Sequence, residues 1–387
     1  MIKYLSLIAI ICLTACSSPA GKNKQQSDAA TPETLSGIKV PVYAWLGGPG
    51  KATDQEIRTY FDGLKSKGII GLLYNGGHDP STYKRVGGIA HEVGLEFQPW
   101  IPTMIQGKNP KLPPELYAFN GLGESAWDKP AYADYYKFLC PSRDEVYSFL
   151  EELYGQIADL EEVDGIHLDY IRFPDVILAR GLWDKYGLVM DREYPQYDYC
   201  YCDHCVEGFQ EHSGIDIRSV EDPAQVEEWK QYRYDLITGI VYRLSEMVHA
   251  KGKEISAAVF PGPNSVARKI VRQEWDKWKL DAFYPMNYND FYLEDTRWIG
   301  QVTQEGVTAL DNRKPLYSGL FICPRPETKG QESDPENHGL LPEELEDAIR
   351  ESMENGAAGI CLFTPGRMTE AHWEVLDKAI RKDFTLN

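Results

Sequence analysis

Short runs of β-branched, aliphatic and aromatic residues alternate along the chain with longer stretches in which apolar residues recur every three or four positions. The short runs predict strands at Lys39–Leu46, Ile69–Tyr74, Leu95–Pro102, Gly165–Ile171, Glu254–Phe260, Ala282–Met286, Pro315–Phe321 and Ala358–Phe363. Between them the helical period predicts helices including Asp54–Lys67, Asp144–Leu160, Val226–Ala250, Pro342–Asn355 and Glu370–Lys382. Gly68, Gly94, Gly252 and Gly356 each follow a helical stretch, where a left-handed residue closes a helix, and an apolar strand follows. Eight such rounds predict an α/β chain folded as a single closed (β/α)8 barrel. An open doubly wound sheet is the competing arrangement. Gly47-Gly48-Pro49-Gly50 lacks its Gly-x-Gly-x-x-Gly spacing, and Pro49 removes an amide donor, so this segment reads as a plain loop.

The long connections follow strand 3 (Thr103–Ser142), strand 4 (Phe173–Gln225) and strand 7 (Ile322–Leu340). Each follows a strand and precedes a helix, so all three belong at the C-terminal face, where barrels build their sites.

The first residues change the picture of where the chain works. Met1–Ala15 carries a lysine, an apolar run from Tyr4 to Leu13 and then small residues, the layout of a secretory signal too short to remain as a spanning helix. Leu13-Thr14-Ala15-Cys16 resembles the bacterial lipobox, which implies cleavage before Cys16, acylation of that residue and an anchor that holds without spanning. Residues 16–36 are rich in Ser, Ala, Lys, Gln and Thr and read as a flexible tether, leaving 37–387 for the barrel. The expected location is the bacterial cell envelope, lipid-anchored at the outer membrane or cell surface.

A formal net charge of -19 argues against nucleic acid or anionic lipid as a partner, since both reward clustered cations. Contact with a membrane is expected through the N-terminal lipid only. A strongly anionic glycan would need Arg172, Arg325 or Arg367 in the cleft. The 24 Tyr and 9 Trp are a rich aromatic supply; most are expected to pack in the core or loops, while exposed rings can stack on sugar faces.

Within Asp164-Gly165-Ile166-His167-Leu168-Asp169-Tyr170-Ile171-Arg172-Phe173-Pro174, strand alternation puts Ile166, Leu168 and Tyr170 on one side and His167, Asp169 and Ile171 on the other. A charged residue there is costly unless partnered, so Asp169 is expected to point into the mouth with Arg172 nearby, as a catalytic carboxylate or as half of a structural pair.

Gly-Ile-His-Leu-Asp-Tyr-Ile-Arg-Phe-Pro resembles the fourth-strand motif of glycoside-hydrolase-like barrels related to bacterial family 10 glycosidase-like lipoproteins. The likeness extends to Phe138-Leu139-Cys140-Pro141-Ser142, Tyr284-Pro285-Met286-Asn287-Tyr288 and Gly359-Ile360-Cys361-Leu362-Phe363. It implies a carbohydrate hydrolase with Asp169 as nucleophile and no required cofactor. The segment also overlaps the chitinase pattern Asp-Gly-x-Asp-x-Asp-x-Glu. It departs where His167 replaces the middle Asp and Ile171 stands for the acid Glu, so a chitinase mechanism lacks its proton donor.

Glycoside hydrolysis takes two carboxylic groups. Asp290, just past strand 6, is the chosen general acid, with capping of a following helix as its alternative duty; Asp175 and Asp79 are substitutes. Position at strand ends nominates Tyr43, Trp45, Tyr74, Asn75, His78, Trp100, Asn287, Tyr288, Thr364 and Arg367 as glycan contacts, with Arg172 and with His167, which alternatively fills the barrel. The expected partner is an oligo- or polysaccharide. A barrel that binds glycan without cutting it is the rival reading. Metal-dependent deacetylation is a third, disfavoured by 8 scattered His.

Cys200-Tyr201-Cys202-Asp203-His204-Cys205 has metal-ligand spacing, and an oxidising envelope also suits disulfides, so Cys200, Cys202 and Cys205 read as structural zinc or as bridges. Cys140, Cys323 and Cys361 complete an even set of thiols after Cys16. Cys361, inside an apolar strand, reads as core.

Overall fold

The computed structural model describes residues 37–48, 50–322 and 338–384. The signal, Cys16 and the tether lie outside the described residues, as do Cys323, Arg325 and most of the connection after strand 7.

Eight parallel strands form one sheet: β1 (Val42–Gly47), β2 (Ile69–Asn75), β3 (Glu96–Pro102), β4 (Gly165–Asp169), β5 (Glu254–Val259), β6 (Ala282–Pro285), β7 (Tyr317–Phe321) and β8 (Gly359–Phe363). Their order runs β6-β5-β4-β3-β2-β1-β8-β7, and single parallel bridges Phe283–Leu316 and Met286–Gly319 join the two ends. The result is the (β/α)8 barrel that the repeated pattern predicts.

Local chemistry explains the outer ring. Thr53 and Glu56 form a reciprocal capping box that starts the Asp54–Ser66 helix, and Ile57, Phe61 and Leu64 are its buried stripe. The Pro80–Val93 helix begins with Asp79 accepting the Ser81 amide and closes on Gly94 at φ 81°.

Alternation along the strands divides the core in two. Val42, Ala44, Leu72, Phe97, Ile166 and Leu168 face outward into the layer beneath the helices. Tyr43, Trp45, Leu73, Ala258, Tyr284 and Cys361 face the barrel axis. The indole of Trp45 fits because β7 carries Gly319: a Cβ there would lie 2.9 Å from the ring and 2.7 Å from the Pro285 carbonyl.

The interior also holds a buried polar chain whose direction follows from its donors. Indole nitrogen can only donate, so Trp45 Nε1 donates to His167 Nε2 at 3.0 Å and the imidazole proton sits on Nδ1, 2.8 Å from Ser256 Oγ. Ser256 donates to Gln98 Oε1 at 2.7 Å, Gln98 Nε2 donates to Glu96 at 2.7 Å, and Tyr43 donates to the other Glu96 oxygen at 2.7 Å. The polar side chains of Trp45, His167, Ser256, Gln98, Glu96 and Tyr43 thereby satisfy one another, as burial requires.

Candidate active site

β4 ends at Asp169. Tyr170 turns the chain sharply at φ 47°, and its amide donates to Asp169 Oδ1 at 2.6 Å. Trp100, on β3 two residues before the Pro102 that pairs with Asp169, donates from Nε1 to Asp169 Oδ2 at 2.9 Å. Asp169 is only 6% exposed, and burial pushes its carboxyl above the ordinary carboxylate range, against the opposing pull of the Tyr170 amide, the Trp100 indole and the Arg172 charge. The result is a desolvated carboxylate held from two sides at the mouth of the barrel.

Arg172 lies beneath it, with its guanidinium 4.9 Å from the Phe260 ring, 5.1 Å from Tyr170 and 5.4 Å from Phe138. It donates to Asp175 Oδ2 at 2.9 Å and to the Phe173 carbonyl at 2.9 Å, while Tyr136 donates to the same Asp175 oxygen at 2.8 Å. Arg172 is 4% exposed and Asp175 3%, and as a buried ion pair the two neutralise one another.

The opposite wall is aromatic. Phe363, last in β8, meets Trp100 edge-on at 6.2 Å and stacks on Tyr288 at 5.9 Å and on Phe321 at 5.9 Å. Arg367 lies 4.6 Å over the Phe321 ring, and Tyr288 feels the Asp169 charge. The structure thus brings together Asp169, Trp100, Tyr288 and Arg367 from the expected set, with Phe321 and Phe363 added. Both rings were legible in alternation, since Phe363 shares the inward side of Cys361 and each closes its strand.

Several expected mouth residues stand elsewhere. β1 runs to Gly47, so Trp45 lies one layer below the mouth and Tyr43, bonded to Glu96, lies near the bottom. Tyr74 alternates with inward Leu73 and therefore faces outward against Phe97 at 5.5 Å. Asn287 is fully buried behind the sheet, donating to Thr303 at 3.1 Å and Ser318 at 2.9 Å. His167 is fully buried with both ring nitrogens engaged, the filler alternative. His78 packs outside against Phe149 at 6.4 Å, and Asn75 accepts the Gly77 amide at 3.2 Å within its own turn. Thr364 donates to the Trp45 carbonyl at 2.6 Å. The physical reason is common to these: a residue near a strand end reaches the mouth only if alternation and the remaining strand length both place it there.

Among the other acids, Asp79 is an exposed helix cap. Asp290 lies in the first turn of a short helix, Asn289–Tyr292, and accepts the Gly339 amide at 2.7 Å, which ties it to the connection after β7.

The cysteine cluster gains a member and loses its histidine. The Sγ atoms of Cys140, Cys200, Cys202 and Cys205 lie within 4.8 Å of one another, all buried, and each of these thiols is free. His204 turns away, with Nδ1 3.1 Å from Ser142 Oγ. Cys361 is buried in β8, as core.

No family model and no curated protein matches the sequence. Among solved structures, the chain is similar to the PgaB (BpsB) glycoside hydrolase domain of Bordetella bronchiseptica, with TM-score 0.62 at 12% identity over 88% of this chain and 99% of that one. It is similar to the catalytic domain of β-amylase from Paenibacillus polymyxa, with TM-score 0.54 at 12% identity over 89% and 98%. It is also similar to a class V chitinase from Pseudomonas fluorescens, with TM-score 0.50 at 11% identity over 88% and 99%. At such identities the likeness is one of fold, and the chain has the (β/α)8 barrel found in these glycoside hydrolases.

Proposed function

We propose that this chain is a glycoside hydrolase acting on an envelope or extracellular glycan by retaining double displacement, tethered to the bacterial envelope through a lipid on Cys16. Asp169 attacks the anomeric carbon while Asp290 protonates the departing glycosidic oxygen. Asp290 then takes a proton from water, which displaces Asp169 and releases the sugar. The observation that carries this reading is the buried Asp169 at the C-terminal end of β4, fixed by Trp100 and the Tyr170 amide and facing the Tyr288, Phe321 and Phe363 rings. Rings stack on sugar faces, and Trp100 would orient the carboxylate while Arg172 favours its ionised form.

A non-catalytic glycan-binding barrel is the second reading. It draws support from the duties of the other acids: Asp175 is neutralised by Arg172, Asp79 caps a helix, and Asp290 holds the Gly339 amide.

The test is a panel of glycans and aryl glycosides offered to the purified chain, with the first-formed anomer followed by NMR. Release of sugar with unchanged anomeric configuration supports the proposal. Inversion would remove the nucleophile role from Asp169, and binding without turnover would favour the second reading and retire Asp290.

A further inference from the structure

The loop after β3 and the insertion after β4 meet beside the barrel mouth. Asn120 pairs with Tyr199 in an antiparallel bridge, the Gly121 amide donates to the Pro195 carbonyl at 2.8 Å, and the Tyr201 amide donates to the Phe119 carbonyl at 2.8 Å. Four cysteines converge at the edge of this contact. Cys140 comes from the first segment, just before the Asp144–Ala158 helix. Cys200 and Cys202 come from the second, and Cys205 from the first turn of the Asp203–Ser213 helix, whose N-cap is Cys202.

We propose that Cys140, Cys200, Cys202 and Cys205 are the four ligands of a structural zinc ion that pins these two loops together. A Zn–S bond of about 2.3 Å in tetrahedral geometry puts ligand sulfurs about 3.8 Å apart. Cys140 Sγ lies 3.5 Å from Cys202 and 3.4 Å from Cys205, and all four lie within 4.8 Å, so the separations bracket that edge. A disulfide would single out one partner at about 2.05 Å, whereas Cys140 stands almost equally far from two.

The surroundings suit thiolates. The Phe119 amide donates to Cys200 Sγ at 3.3 Å, and Ser142 Oγ lies 3.0 Å from Cys140 Sγ and 3.1 Å from Cys205 Sγ. Cys140, Cys200 and Cys205 are fully buried and Cys202 is 5% exposed. A set of thiolates removed from water needs a cation among them. Four protein ligands leave no open position, which marks the ion as structural rather than catalytic. Zinc is favoured because a tetrahedral all-sulfur donor set selects it or iron, and the metal requires no redox partner.

The experiment uses the full chain purified without chelator. Elemental analysis is expected to find about one zinc per chain, with intact mass showing no loss of hydrogen from the thiols. Cobalt exchanged into the site is expected to give the intense visible and charge-transfer absorption of a tetrahedral tetrathiolate centre. Cys140→Ser is expected to surrender its zinc to a chelator that leaves the wild type loaded, and Cys361→Ser to retain it. If Cys140→Ser does not fold, the cobalt spectrum of the wild type still decides. A metal-free protein whose mass is lower by two or four hydrogens would overturn the proposal in favour of disulfides. Bound iron in place of zinc would overturn the identity of the ion.

Discussion

Asp198 lies in the insertion after β4 with its side chain 5% exposed, between Arg233 at 0% and Arg272 at 1%. It also accepts the Tyr201 hydroxyl at 2.7 Å. Burial pushes its carboxyl up, but the Arg233 and Arg272 charges outweigh that and hold it below the ordinary range. Asp198→Asn keeps the shape and removes the charge. Arg272 retains Glu193, 3.0 Å away, whereas Arg233 is left with the Trp229 and Tyr199 carbonyls among the described residues. Breaking a buried pair from one side costs about 3–5 kcal/mol. With an unfolding entropy of about 2.1 cal/mol/K per residue, a domain of roughly 350 residues shifts its midpoint by about 1.4 °C per kcal/mol, so calorimetry should record a fall of about 4–7 °C. Because the native pKa is depressed, this stabilisation is complete above the unfolded value of about 3.9 and is lost as pH falls through the native value. The gap between wild type and variant should therefore hold steady from about pH 7 to 5 and narrow below about pH 4. Replacing both partners, Asp198→Leu with Arg233→Met, should recover much of the loss. A single variant within about 1 °C of wild type at neutral pH would refute the reasoning.

Other outcomes follow from the same packing. His167 is kept neutral, its pKa pushed down to about 3 by burial, while the unfolded residue takes a proton near 6.5; stability should fall as pH drops from about 6.5 toward 3, by up to about 1.4 kcal/mol per unit, and His167→Asn should abolish that slope in urea titrations. Trp100→Phe keeps the ring but removes a donor that lowers the Asp169 pKa, so the acidic limb of the pH–rate profile should move to higher pH. A limb that stays in place would detach that ionisation from Asp169. Gly87→Ala would set its Cβ 2.3 Å from the Glu162 carbonyl and should destabilise by about 1–3 kcal/mol in urea. Gly63→Ala, with nothing within 4 Å, should instead gain about 0.5–1 kcal/mol of helix propensity.

The barrel was legible because its signals are local and repeat. Gly68, Gly94, Gly252 and Gly356 do take positive φ after their helices, and each predicted strand overlaps an observed one. The place of Asp169 at the end of β4 was legible because alternation and its position along the strand agree. Tyr43, Trp45, Tyr74 and Asn287 lie away from the mouth because closeness to a strand end does not fix register: one position turns a side chain inside out, and two positions sink it by a layer. Cys140 escaped the cysteine motif because its partners lie about sixty residues away, joined to it by a loop contact that spacing does not reveal. The Trp45–His167–Ser256–Gln98–Glu96–Tyr43 chain spans four strands, so it too exists only in the folded barrel.

The measurement that bears most directly on the proposed chemistry compares wild type with Asp169→Asn on whichever glycan the panel shows to be cleaved, measuring turnover and binding separately. With Asp169 as nucleophile, turnover should fall by at least about a thousandfold while the glycan still binds. Turnover preserved in Asp169→Asn would contradict that role and move the reaction to another carboxylate.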